Sequence, residues 1–245
     1  LDLSNFDTSN VLYMGNPYNY SYGGMFRNCS SLVSLNISSF NTSKVKLMSN
    51  MFHGCSSLVT LDLSNFDTSN VTAMASMFNS CTNLKNLNLS SFNTSKVTDM
   101  DSMFLNCKSL ADLNLSGFNT NKVTGMYALF FGCTNLIELD ISNFTTSNVT
   151  NLALMFGNCR SLKELDLSNF NTTNVTNMNR MFEHCHNLKT IYVSDLWNMS
   201  NVTNSVNMFL NCTSLTGAVP FDSSKTDVSM ANYTTGYLTY KKNTN

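Results

Sequence analysis

Eight cysteines stand at positions 29, 55, 81, 107, 133, 159, 185 and 212 of this 245-residue chain, 26 residues apart six times and 27 once. A period of that length marks a repeat protein, in which one supersecondary unit is copied and no copy can bury its apolar side chains alone. One unit reads Cys55, Leu58, Leu61, Leu63, Phe66, Val71, Met74, Met77 and Phe78 before Cys81 opens the next. The Phe66 column has copies at Phe6, Phe40, Phe92, Phe118, Phe144 and Phe170, each five residues before a valine, and Trp197 takes the same place before Val202. Composition carries the stamp of copying too, with 38 asparagines, no glutamine and two prolines. Only 12% of residues are charged and the net charge is -1, which argues against a nucleic-acid partner. No run of 18 apolar residues occurs, so this stretch is not expected to insert into a membrane.

Two periodicities alternate inside each unit. Leu61-Asp62-Leu63-Ser64 alternates apolar with polar, as a half-buried strand does, whereas Val71, Met74, Met77, Phe78 and Cys81 recur at three and four, as on a helix. Between them Asp67-Thr68-Ser69-Asn70 supplies turn and N-cap chemistry. The expected fold class is therefore an α/β repeat: a right-handed solenoid of 26-residue repeats, each with one short strand and one short helix, the strands forming a concave parallel sheet. Residues 1–216 form the array, with an insertion at about 15–24, and residues 217–245 form a C-terminal cap. In that cap Ala218, Val219 and Pro220 are expected to fill the last strand slot, because proline cannot donate to a further strand. The chain opens on Leu1-Asp2-Leu3, without methionine or leader, and is expected to be a piece of a longer polypeptide.

The columns C-x-x-L-x-x-L-x-L-S-x-F-x-T-S-x-V-x-x-M-x-x-M-F, repeated over roughly residues 1–216, resemble the BspA-like leucine-rich-repeat surface proteins of bacteria, related to lipoprotein-associated repeats of mycoplasmas. The resemblance implies an exported or surface-attached binding protein with no active site, so an extracellular or cell-surface location is expected. It is specific for fold and poor for function, because the matching columns are core residues.

Chemistry-bearing motifs are scarce. In a stack of equal coils, equivalent cysteines point the same way about 4.8 Å apart, which suits buried free thiols better than disulfides. Zinc is not expected, because ligand pairs with two to four residues between them are absent; His184-Cys185-His186 puts the core cysteine between two histidines expected to point elsewhere. Thirteen of fifteen methionines fall in two columns and read as core filler. No phosphate loop, nucleophile elbow or His-Glu-x-x-His occurs, and neither enzyme activity nor a cofactor is expected.

Function is then sought at positions the core leaves free. The strand residues five and seven after each cysteine point outward, and their middle copies concentrate Asp112, Glu138, Asp140, Glu164 and Asp166, with Tyr192 at the end of the second series. Like charges one strand apart repel unless a cation or basic partner relieves them. The plainer reading is a solvated polar ladder partly compensated by Lys163 and Lys189; calcium is a smaller alternative. The second candidate is the insertion: Val11 precedes Cys29 by 18 residues where the usual spacing is 10, and the stretch carries Tyr13, Tyr18, Tyr20 and Tyr22 among Ser, Asn and Gly. That mixture resembles an antibody paratope, although it also suits a shielding loop. The expected partner is a protein of host matrix or cell surface, with a glycan as second class. An inert spacer, projecting another domain from the cell wall, is the rival reading. A cytosolic recognition receptor is a third, which no nucleotide-binding module supports.

Overall fold

The computed structural model describes residues 1–16 and 23–243. Successive repeats stack as coils, and the parallel ladder that runs unbroken between them lies where helices were expected. Single residues two after each column valine pair in sequence, Tyr13 with Leu47, then Ala73, Asp99, Gly125, Asn151, Asn177 and Asn204. On the opposite side of the coil the strands are short: β1 (Thr60–Asp62) pairs with β2 (Asn86–Asn88), and β3 (Glu164–Asp166) with β4 (Thr190–Val193), both parallel and in register one repeat apart. A two-residue strand from the tail, β5 (Thr239–Tyr240), adds to β4. The equivalent slots at 112–114 and 138–140 form no strand, so two sheets replace the continuous one expected.

The α/β solenoid with a helix in every repeat is therefore not the fold. Among the described residues there is no α-helix, and the only helical turn is a 3-10 helix at Val228–Met230, outside the repeats. The reason lies in the backbone. From Met74 to Cys81, alternate amides leave their own coil: Met74, Ser76, Phe78 and Ser80 donate to the carbonyls of Asp99, Asp101, Met103 and Leu105 at 2.7–3.0 Å. The amides between them close local turns, Met77 to Met74 and Cys81 to Phe78. Two left-handed residues per coil make this path, such as Ser76 at φ 56° and Ser80 at φ 61°. A left-handed residue stops a helical ladder and normally costs a non-glycine residue about 1 kcal/mol or more. Here the bonds to the next coil offset it, while turns of three residues still direct Val, Met, Phe and Cys inward at the spacing a helix would show.

The core is a set of columns. Phe26, Phe52, Phe78, Phe104, Phe130, Phe156, Phe182 and Phe209 stack ring on ring, centroids 5.5–5.8 Å apart and planes within 12°. Because coils are spaced more closely than these centroids, the rings are offset, the arrangement their quadrupoles favour. Beside them, none of the eight cysteines is disulfide-bonded; seven are buried and Cys29 is exposed. Each buried thiol donates to the phenylalanine carbonyl of the preceding coil, for instance Cys81 Sγ to Phe52 O at 3.1 Å and Cys107 Sγ to Phe78 O at 3.1 Å.

A second column holds the coils together through hydroxyls. Thr94 Oγ1 donates to Asn119 O at 2.9 Å and accepts from Asn119 N at 2.7 Å, and Thr8, Thr68, Thr120 and Thr172 do the same. All are buried. Replacing Thr94 with valine keeps the shape and leaves the part-buried Asn119 amide and carbonyl without their partner, so urea denaturation should show a loss of about 1–2 kcal/mol, largely restored by Thr94→Ser. Equal midpoints for the valine variant and the parent would show that the hydroxyl bridges contribute nothing.

At the C-terminal end the tail closes over the last coil. Tyr237 is fully buried with its ring edge-on to Phe209 at 5.4 Å, and Trp197 Nε1 donates to Ala231 O at 3.1 Å. The slot beside β4 belongs to β5 and not to residues 218–220, where Thr216 and Pro220 instead close a small antiparallel bridge. The reason is that Tyr237 must turn in beneath Phe209, which brings the residues after it alongside β4.

Candidate partner-binding groove

Outward side chains on β3 and β4 are set by alternation: Leu165 and Ile191 are buried, so Glu164, Asp166 and Tyr192 face away from the core. Register then places Asp166 opposite Tyr192 and Tyr192 opposite Thr239. Thr239 and Lys241 share one face of the tail strand, so Lys241 reaches back across Tyr192. Its Nζ bonds Asp166 Oδ2 and lies 5.5 Å from the Tyr192 ring centroid.

These residues line a groove of about 550 Å³ together with Glu138, Asp140, Lys163 and Lys189, floored in part by Ile137 and Leu139. Five residues singled out from the sequence thus meet: Glu138, Asp140, Glu164, Asp166 and Tyr192. Asp112 does not join them. It lines a separate groove of about 460 Å³ with Asp62, Lys85 and Asn88. Tyr13 belongs to the ladder on the other side of the coil, exposed and bridged to Leu47. Tyr18, Tyr20 and Tyr22 lie outside the described residues. The insertion that carries them leaves the coil between the two methionine columns, where Met25 N donates to Met14 O at 3.0 Å and Gly15 bridges Gly24. Both glycines are required there, because a Cβ would come within 2.4 Å of Ser49 N at Gly15 and 2.1 Å of Asn50 O at Gly24.

The carboxylates divide into two kinds. Asp140 and Asp166 accept the backbone amides of Ser142 and Ser168 at 3.0 and 2.9 Å, as Asp62, Asn88 and Asn114 do for Ser64, Ser90 and Ser116. Aspartate and asparagine therefore alternate along the series because either oxygen closes the turn. The Ser142 amide holds the Asp140 carboxyl below its usual range, against burial and the neighbouring Asp166 charge. Burial pushes Asp166 up, but the bonds from Lys241 and Ser168 outweigh it and the net shift is downward. Glu138 and Glu164 are different: both are exposed, and among the described residues no hydrogen bond or ion pair engages either side chain.

Lys241 is the site residue that the sequence reading missed. The only signal was the polar alternation of Thr239 and Lys241, too short to reveal which strand the tail would join. With Lys163, Lys189 and Lys241 against four carboxylates, the groove carries mixed charge, not an uncompensated acidic strip. Among the described residues no three His, Cys, Asp or Glu side chains are grouped to hold a metal ion, and no helix is long and apolar enough to cross a membrane.

A family model described as Mycoplasma protein of unknown function, DUF285, matches residues 20–135 and again 109–220. The chain belongs to this family. The two matches overlap and together span the repeats from the insertion to the start of the tail. That agrees with the mycoplasma repeats to which the sequence columns pointed. The groove of this DUF285 chain reaches past the matched residues, since Lys241 lies beyond them. No curated protein matches the chain.

Proposed function

We propose that this DUF285 chain is a non-catalytic binding module of a BspA-like bacterial surface protein, working outside the cell on a host matrix or cell-surface protein through the groove on β3 and β4. The observation that carries the reading is the pair Glu138 and Glu164. Both side chains are acidic and outward, and among the described residues neither has a hydrogen-bond or ion-pair partner, in a groove whose aspartates are committed to turns. Like charges in equivalent places on neighbouring repeats cost stability and return it when a basic partner approaches. Tyr192, with Ile137 and Leu139, gives the apolar contact area that affinity needs beside the charges.

The test compares capture of matrix and epithelial surface proteins by the parent and by a Glu138→Lys/Glu164→Lys variant, at low and high salt. Both positions are exposed, so the melting temperature should stay within a few degrees. A partner bound by the parent should lose at least about tenfold in affinity with the variant and weaken in salt. Equal capture by both proteins would remove the groove from the site, and no capture by either would leave the spacer reading standing.

A further inference from the structure

We propose that Asp166 and Tyr192 form a subsite for a basic side chain carried on an extended peptide, and that Lys241 of this chain occupies that subsite in cis as a built-in competitor. The inference rests on reading the groove as the binding site. Its starting point is that the chain itself shows what the subsite takes. Lys241 puts an ammonium against one carboxylate oxygen and over one aromatic face, the two features that together select a cation presented on a long apolar stem.

The occupant is held lightly. β5 has two residues, pairing only Tyr192 with Thr239 and Val193 with Tyr240, and the Lys241 amide adds one bond to Val193 O at 2.8 Å. Side-chain anchoring comes from Tyr240, whose hydroxyl donates to Asp195 Oδ2 at 3.1 Å beside Tyr233 on Oδ1 at 3.2 Å. That clamp sits before Lys241, so the lysine can leave the groove while the strand stays docked. Lys241 remains half exposed and Asp166 about one-third exposed, which leaves room for an incoming side chain to displace the ammonium. A tethered ligand competes at an effective concentration near millimolar, so a basic partner meets a groove already partly answered by the tail.

The probe is a blocked, fluorescently labelled peptide that copies Leu238–Lys241 of the tail, acetyl-Leu-Thr-Tyr-Lys-amide, with a peptide carrying norleucine for the lysine as the uncharged control. Binding to the full chain is followed by fluorescence polarisation. Lys241→Met keeps the stem and removes the charge, and should tighten the lysine peptide at least tenfold over the parent. Adding Tyr192→Ala to Lys241→Met should abolish the gain, and the norleucine peptide should bind neither protein measurably. Failure of Lys241→Met to tighten binding, or equal binding of the norleucine peptide, overturns the subsite. If that happens while Glu138→Lys/Glu164→Lys still abolishes partner capture, the groove reading survives and only the lysine subsite falls. If the tenfold gain appears while partner capture is unaffected by the glutamate variants, the subsite stands and the groove reading falls.

Discussion

Raising the pH past about 9 is expected to unfold this protein within one to two pH units. Burial pushes seven thiols upward: Cys55, Cys133 and Cys185 to about 12, and Cys81, Cys107, Cys159 and Cys212 higher still, where repulsion from a neighbouring thiolate in the column adds to burial. The unfolded chain ionises its thiols near their ordinary value of 9.0, while the folded chain keeps its protons. The stability these groups contribute is thus whole below about pH 9 and falls as the pH climbs toward their folded values. Each thiol removes about 1.4 kcal/mol per pH unit once the unfolded form is fully ionised, roughly 10 kcal/mol per unit for the set, against a typical total stability of about 5–15 kcal/mol. Urea midpoints measured from pH 7 to 11 should therefore drop steeply beyond 9, and Cys133→Ala should make the slope shallower by one proton. At neutral pH iodoacetamide should modify Cys29 quickly and the other seven only on unfolding. A midpoint that stays level to pH 11 would contradict the dry thiol column.

Phe130→Ala should be among the most damaging single truncations in the array. The ring is fully buried and stacked on both sides, 5.7 Å from Phe104 and 5.8 Å from Phe156. Removing it leaves a cavity that fixed coils above and below cannot close, so the expected loss is about 3–5 kcal/mol, seen as a lower urea midpoint at similar slope. Phe6, by contrast, is 55% exposed, and its truncation should cost under about 0.5 kcal/mol. If the two variants melted together, the stacked column would not be what holds the coils.

The spacing that suggests a helix in every repeat has another physical source. Apolar side chains at Val71, Met74, Met77 and Phe78 have the same spacing on a helix and on a chain of three-residue turns, so periodicity could not separate them. The residue before each cysteine could have done so. It is Asn28, Gly54, Ser80, Asn106, Gly132, Asn158, His184 or Asn211, a column rich in the residues that tolerate left-handed backbone, and every one of them has positive φ. One such residue in every copy, inside the run with helical spacing, is a sign against a continuous helix. In the groove, alternation sufficed to turn Glu138, Glu164 and Tyr192 outward. It could not show that Asp140 and Asp166 close turns, because that bond runs to a backbone amide two residues on and leaves no trace in the apolar pattern.

The sequence alone determined the period, the stacking of equivalent positions, which residues enter the core and which strand residues face outward, since all of these follow from copying one apolar pattern every 26 residues. Only the tertiary structure decided where the backbone amides go, to the next coil and not along a helix, and which part of the tail settles beside Tyr192. Those choices depend on bonds between atoms 25 to 75 residues apart, whose energies are summed over the whole stack, and no local run of residues contains them.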